Sequence, residues 1–156
     1  MSIKLGVAPI AWSNDDMPEL GRETTLEQCL NEASKAGFSG IEYGGKFSKT
    51  SNELLPKLEK EKLELCSGWY GAQLLKNTAK EEFSLMQNQL RLFKDCKSPC
   101  MVFAEITNSV QGDPDTALSK RPKLSKDDWD KLVFRMNEIS KMMIDENMPL
   151  AYHHHM

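Results

Sequence analysis

The residues of this sequence best suited to chemistry are two glutamates that follow apolar runs and a group of histidines. Glu42 lies in GIEYGG, Glu105 lies in FAEITN, and His153 and His155 belong to AYHHHM. A carboxylate at the end of an apolar run needs a charged partner, a metal ion or water, because isolated burial of a charge is costly. Imidazoles bind divalent metals or transfer protons near neutral pH. These residues therefore indicate acid–base or metal-assisted catalysis.

Each of these residues also has a structural interpretation. Glu42 could be a solvated strand-end acid or could pair with a loop lysine such as Lys46, and Glu105 could be an acid of the same kind. In a strand, His153 and His155 share one face and His154 lies on the other. The histidine run could also be a tag remnant or chance, although it continues an apolar strand without a linker.

Two further groups of side chains are suited to binding a hydroxylated ligand. The segment WSNDDMPELG places Asn14, Asp15 and Asp16 beside Trp12, which suits hydroxyl recognition by carboxylates next to an aromatic platform. The alternative for this segment is an Asx-rich turn. Trp69, at the end of the third predicted strand, is either an apolar wall of the site or a buried core aromatic.

The elements that must position these residues alternate between short apolar strands and amphipathic helices. Capping boxes at Thr24, Thr78 and Ser125 predict three helix starts, and a weaker helix begins near Asn52. This alternation predicts a parallel sheet. The predicted strands cover residues 5–12, 39–44, 63–70, 99–106 and 149–155. The apolar stripe of the last helix predicts six inward-facing residues: Trp129, Leu132, Val133, Met136, Ile139 and Met143.

The long polar loops all follow strands, whereas each helix returns to a strand within a few residues. The strand-to-helix loops are SNDDMPELGRE, GKFSKTS, GAQLLKN and TNSVQGDPDTALSKRPKL. In a parallel α/β sheet such loops surround the carboxyl ends of the strands, where ligand sites form. The sequence therefore predicts a site at that end of the sheet, where Glu42, Glu105 and His155 should meet.

The number of repeating units predicts half of a barrel. Four β/α units and a fifth strand are half of a (β/α)8 barrel, which typically needs about 250 residues. We therefore predict a single domain over residues 1–156, made of the first four β/α units plus strand five of a truncated TIM barrel, with a five-stranded open sheet as the alternative. A half-barrel exposes strand edges and apolar helix faces, so self-association is also predicted.

Charge and composition argue against several classes of protein. The net charge of −3 leaves no positive surplus for a phosphate backbone, so a nucleic-acid partner is not expected. No apolar run approaches the roughly 20 residues of a membrane span, and MSIKLGVAPI lacks the pattern of a signal peptide. The four cysteines lack CxxC spacing, which favours reduced thiols over disulfides or a zinc site. These features predict a soluble, cytoplasmic protein with no membrane partner.

Several motifs together resemble the myo-inosose-2 dehydratases (2-keto-myo-inositol dehydratases) of bacterial inositol catabolism. The similarity covers APIAWSNDDMPELG (8–21), GFSGIEYGGKF (37–47), SVQG (109–112) and YHHHM (152–156). That family belongs to the xylose-isomerase-like (β/α)8 barrels and is about twice as long as this chain. The resemblance implies the N-terminal half of such a barrel and implies that the histidines are native sequence.

The resemblance implies loss of water from a cyclic keto-polyol, supported by Mn²⁺ or Co²⁺. A metal or donor polarises the ketone, a base removes the adjacent proton, and an acid protonates the departing β-hydroxyl. Glu42, Glu105 and His155 become candidates for proton transfer, and Lys46 becomes a candidate for holding the enolate oxygen. His153 occupies the position of a metal-binding Glu in related barrels and is the predicted metal ligand. The predicted substrate contacts are Trp12, Asn14, Asp15, Asp16, Trp69 and Gln111.

Two other functions stay open at this point. A sugar isomerase or epimerase on the same barrel shares the metal and the proton abstraction but does not expel hydroxide. A non-catalytic half-barrel would lack the metal ligands expected from strands six to eight. Because those ligands are absent from the sequence, this chain alone is predicted not to turn over substrate.

Overall fold

The computed structural model describes residues 3–154, in which short parallel strands alternate with helices. The strand order in the sheet is β1-β2-β3-β4-β5, so it follows the chain, and the predicted parallel β/α alternation is confirmed. In chain order the elements are β1 (Gly6–Val7), α1 (Leu26–Lys35), β2 (Gly40–Tyr43), α2 (Ser51–Glu61), β3 (Glu64–Ala72), α3 (Ala79–Leu85), α4 (Gln87–Asp95), β4 (Met101–Glu105), α5 (Lys126–Asp145) and β5 (Leu150–Tyr152). Two 3₁₀ turns, Pro9–Ala11 and Leu118–Lys120, lie in the loops.

The chain forms two compact units. The first contains the residues up to Trp69 together with Gln89–Cys100, and the second contains Tyr70–Asn88 and the residues from Met101 onward. Strand β3 therefore contributes its first part to one unit and its last three residues to the other. The single domain predicted for residues 1–156 stays a prediction.

The first unit is built on β1, β2 and the first part of β3. Ile41 pairs with Val7 on one side and with Leu65 on the other, and the register then shifts so that Glu42 lies opposite Ser67. A register shift of this kind, a bulge or a local irregularity, changes the direction in which the following side chains point. The core of this unit is apolar and comes from helices as well as strands, with Leu30, Ile41, Leu54, Leu65 and Phe93 fully buried.

Three boundaries predicted for the part of the chain before β4 are wrong. Strand β1 ends at Val7 rather than near Trp12, because Pro9 cannot donate to a ladder and begins a 3₁₀ turn. Thr25 rather than Thr24 caps α1, since Thr25 Oγ1 accepts from the N–H of Gln28 at 3.1 Å. The third predicted helix is broken at Met86 into α3 and α4.

The second unit contains the end of β3, α3, β4, α5 and β5. Met101 pairs with Leu150 and Phe103 with Tyr152, so β4 and β5 are parallel. The predicted capping boxes at Thr78 and Ser125 are confirmed: both side chains accept from the N3 backbone, and Glu81 and Asp128 return the bond. The large apolar side chains of this unit that are fully buried include Leu74, Met86, Met101, Phe103, Ile139, Met143 and Met148.

The inward stripe of α5 is narrower than predicted. Leu132, Ile139 and Met143 are buried and fall within about 40° of one another on a helix of 3.6 residues per turn. Trp129 is 48% exposed and Val133 is 53% exposed, so their predicted burial is wrong. Both lie on the flank of the helix, beyond the stripe that packs on the core of its unit.

None of the helices within residues 3–154 is long and apolar enough to cross a bilayer.

Candidate functional site

Glu42 is a half-buried carboxylate near the carboxyl end of β2 in the first unit. The hydroxyl of the buried Ser67, on β3, donates to its Oε1 at 2.5 Å. Burial, and then the negative charge of Glu42, raise the pKa of the Cys66 and Cys100 thiols. Both thiols therefore stay protonated at neutral pH.

Lys46 follows β2 and holds the segment that leads into α1. Its ammonium donates to the carbonyl of Gly21 at 2.6 Å, to that of Arg22 at 3.0 Å, and to that of Thr24. An ammonium has three donors, so all three are used here. The salt bridge between Lys46 and Glu42 that the sequence left open is not formed. An enolate oxygen could bind Lys46 only by displacing one of these carbonyls.

The first loop folds back on itself through the residues predicted to bind hydroxyls. The side chain of Asn14 accepts from the N–H groups of Asp16 and Met17, which is the Asx turn given above as the alternative. Asp15 accepts from the N–H of Gly45 at 2.8 Å, which ties this loop to the loop after β2. The indole N–H of Trp12 donates to Glu32 at 2.7 Å.

The close of the first loop requires a glycine. Gly21 has φ +76°, in the left-handed region, and a Cβ there would lie 1.9 Å from the carbonyl oxygen of Trp12. Any side chain would therefore force the two ends of the loop apart. Together with Lys46, this glycine sets the position of Trp12, Asn14 and Asp15 in the first unit.

Replacing Lys46 with methionine is expected to loosen the first loop. The substitution removes three charge-assisted hydrogen bonds. One of them is to the carbonyl of Arg22, which belongs to a peptide bond that trypsin cleaves. Because the ammonium is exposed, we expect a loss of only about 1 kcal/mol, or roughly a fivefold to tenfold faster cleavage at Arg22 in limited proteolysis. Lys49→Met is the matched control, and equal cleavage rates in the two variants would contradict the clamp.

Trp69 lies at the end of the first unit's part of β3. It is 38% exposed, so the buried-core interpretation is wrong, and its carbonyl accepts from the side chain of Gln89 at 2.8 Å. The interpretation of Trp69 as an apolar wall of a site stays a prediction.

Glu105, at the carboxyl end of β4 in the second unit, is a carboxylate that is held at both of its oxygens. Its Oε2 accepts from the N–H of Leu74 and its Oε1 from the N–H of Thr107, both at 2.6 Å. Accepting at both oxygens is the pattern of an ionised carboxylate. Since each oxygen has two lone pairs, each retains one that can accept a ligand hydroxyl or a proton.

Two hydroxyl groups accompany Glu105 in the second unit. Burial, and then the negative charge of Glu105, raise the pKa of Tyr152, so its phenol is a hydrogen-bond donor at neutral pH. Thr107 is buried, and within residues 3–154 its hydroxyl has no hydrogen-bond partner. A buried polar atom of this kind normally finds a partner in water or a ligand. The carboxyl end of β4 is therefore suited to binding a polyol.

The remaining predicted residues lie beyond the ends of β4 and β5. The backbone N–H of His153 donates to the carbonyl of Phe103 at 2.8 Å, and its imidazole is exposed. Gln111 is half-buried in the loop after β4, where its N–H donates to Ser109 at 3.4 Å. His155 lies outside the described residues.

The structure thus brings some predicted residues together within each unit. In the first unit it joins the loop of Trp12, Asn14 and Asp15 to the loop of Lys46. In the second it places Glu105 and His153 at the ends of neighbouring strands. The predicted meeting of Glu42, Glu105 and His155 stays a prediction, because the two glutamates belong to different units and His155 is not described.

Sequence reasoning missed four polar residues that the structure identifies. Ser67 interrupts the apolar run LELCSGWY, and Tyr152 directly precedes the histidines, so both carried a signal in the sequence. Thr107 and Glu82 carried none, because their burial depends on residues distant in the chain.

The described residues do not assemble a metal site by themselves. Between residues 3 and 154 there is no group of three or more His, Cys, Asp or Glu side chains that could hold a metal ion. His153 is the predicted ligand in this range, and His155 lies beyond it. The predicted Mn²⁺ or Co²⁺ is therefore not accounted for by the donors described.

Curated proteins resemble this chain over its whole length. It is 38% identical over 156 residues to inosose dehydratase 2 of a Bacillus cereus strain, covering 99% of this chain and 52% of that protein. It is 37% identical to the rhizopine catabolism protein MocC of Rhizobium meliloti, covering 100% of this chain and 48% of that protein. The chain therefore spans about half the length of the curated relatives it matches. No family model matches it.

Solved structures show the same fold at much lower identity. The probable 3-DHS dehydratase AsbF of Bacillus anthracis superposes with a TM-score of 0.64 at 15% identity, over 96% of this chain and 52% of that one. A sugar phosphate isomerase/epimerase from Parabacteroides distasonis gives 0.68 at 16% identity, over 97% and 51%. Each match covers about half of a larger chain, and together with the parallel sheet and its alternating helices these matches confirm the predicted half of a (β/α)8 barrel.

Proposed function

We propose that this chain, which is homologous over its whole length to inosose dehydratases, takes part in removing water from 2-keto-myo-inositol in inositol catabolism. The observation that carries the proposal is 37–38% identity to such proteins along essentially the entire chain. The geometry that supports it is the oriented carboxylate of Glu105 beside two hydroxyl groups, which matches a substrate that presents a ketone and several hydroxyls.

The proposed chemistry begins with proton abstraction next to the ketone. Glu105 is the proposed base, because both of its oxygens are held as acceptors and each keeps a free lone pair. The phenol of Tyr152 would donate a hydrogen bond to a substrate oxygen. Glu42, oriented by Ser67, is proposed as a second proton-transfer group, and His155 as a third.

The other predicted contacts belong to the proposal in weaker roles. Trp12, Asn14, Asp15, Asp16, Trp69 and Gln111 are proposed to bind the polyol. A bound Mn²⁺ or Co²⁺ would act as a Lewis acid at the ketone, with His153 as one ligand. Lys46 is proposed to bind the enolate oxygen after exchanging one of its three carbonyl partners.

The proposal also includes a cytoplasmic location for the protein. The four cysteines are free thiols, and thiols of this kind stay reduced in the cytoplasm. Self-association through exposed strand edges stays part of the proposal.

The test is incubation of the chain with 2-keto-myo-inositol in D₂O, with Mn²⁺ or Co²⁺ present. Dione absorbance, or exchange of the proton next to the ketone together with amide shifts at Leu74 and Thr107, would support the proposal. Exchange with new keto-sugar signals and no dione would instead favour an isomerase. Absence of both exchange and amide shifts at millimolar substrate would contradict the proposal and favour a non-catalytic half-barrel.

A further inference from the structure

Consecutive peptide groups at the start of the loop after β3 are each held by a charged side chain. The N–H of Gln73 donates to Glu82, on α3, at 3.2 Å. The N–H of Leu74 donates to Glu105, on β4, at 2.6 Å. The carbonyl of Leu74 accepts from Arg135, on α5, at 2.7 Å. Three elements of the second unit therefore fix one short run of backbone.

Glu82 is the most deeply buried of these side chains, with 2% of its surface exposed. It also accepts from the phenol of Tyr70 and from the side-chain amide of Asn77, both at 2.8 Å. With Gln73 these make three donors, which compensate for the loss of water around the carboxylate. Burial, and then the bond to Glu82, raise the pKa of Tyr70, so this donor keeps its proton.

Arg135 holds the same loop from its carbonyl side. One nitrogen of its guanidinium donates to the carbonyl of Leu74 and, at 3.0 Å, to the carbonyl of Asn77. Both are charge-assisted hydrogen bonds from the guanidinium, which are stronger than bonds between neutral groups. The side chain of Leu74 is fully buried, so it anchors the loop between the points that Glu82 and Arg135 hold.

We propose that Glu82 and Arg135 are positioning residues for Glu105. They fix the peptide groups on either side of the Leu74 N–H, and that N–H sets the direction of Glu105 Oε2. A peptide group whose two neighbours are fixed cannot rotate to release its N–H, so the carboxylate keeps its orientation before a ligand binds. The inference rests on the proposed function only in assigning proton transfer to Glu105.

Amide hydrogen exchange in this chain tests the positioning without any substrate. Arg135→Met should raise the exchange rate of the Leu74 amide about tenfold or more, because two bonds from a charged donor are lost. The Thr107 amide should follow by a similar factor, since its N–H donates to Glu105. Lys141→Met, on an exposed position of the same helix, is the matched control. Glu82→Gln is the second variant, with the rise expected first at Gln73.

The outcome at Thr107 decides the question. Faster exchange at Leu74 with Thr107 unchanged from the Lys141→Met control would overturn the inference, because Glu105 would then be oriented without the loop. An equal rise at Met143, in the core of α5, would overturn it as general destabilisation. Amide exchange is measured without substrate. The positioning role can therefore be tested even if the proposed function is wrong.

A second readout applies where proton exchange of the keto-polyol is observed. Arg135→Met should then slow the exchange about tenfold with its half-saturating substrate concentration within about twofold of wild type, and Arg135→Lys should restore part of the rate. A change confined to the half-saturating concentration would contradict a positioning role.

Discussion

Glu105→Gln is expected to slow the proposed exchange of the proton next to the ketone of 2-keto-myo-inositol by a factor of about 10² to 10⁴, the usual contribution of a general base. The amide has nearly the shape of the carboxylate but cannot take up a proton. It also offers a single acceptor oxygen, so only one of the N–H groups of Leu74 and Thr107 keeps its partner. The measurement is the loss of that proton's signal in D₂O.

The matched control is Glu59→Gln, the same substitution at an exposed position of α2. Its rate should equal that of the unchanged chain. Amide shifts on titration with the keto-polyol should show that Glu105→Gln still binds, with an affinity within about tenfold. A rate within twofold of wild type for Glu105→Gln would remove Glu105 from the proton-transfer step.

Phe93→Ala is expected to destabilise the first unit by about 3–5 kcal/mol, the typical cost of deleting a buried phenyl ring. The ring is fully buried and meets the ring of Tyr43 edge-on, with centroids 5.6 Å apart. It also packs on Gly68, where an added Cβ would lie 2.5 Å from the phenyl Cζ. Tyr43 follows Glu42, and Gly68 follows Ser67, so the same ring supports the backbone that carries this carboxylate and its donor.

Urea unfolding followed by circular dichroism measures this loss. Phe134→Ala is the matched control, because that phenyl ring is 63% exposed and its removal should change the free energy of unfolding by less than about 0.5 kcal/mol. Phe93→Leu should recover part of the loss by filling the cavity. A loss of less than about 1 kcal/mol in the free energy of unfolding for Phe93→Ala would show that the ring does not support the backbone that carries Glu42 and Ser67.

The sequence by itself determined those features that depend on neighbours within a few residues. The capping boxes at Thr78 and Ser125 are correct because a cap needs only the side chain three positions ahead. The strand-end positions of Glu42 and Glu105 follow from short apolar runs in the same way. At the start of α1 two adjacent threonines could both act as the cap, and the local pattern did not distinguish Thr25 from Thr24.

Only the tertiary structure decided which groups these residues meet. The three donors of Lys46 go to carbonyls 22 to 25 residues away, and Glu105 takes its N–H from Leu74, 31 residues away. Glu82 lies in the polar first turn of a helix and is nevertheless buried. Burial depends on which face of a helix packs against the sheet, and a hydrogen bond between distant residues depends on loop closure. Neither is encoded in the spacing of residues along the chain.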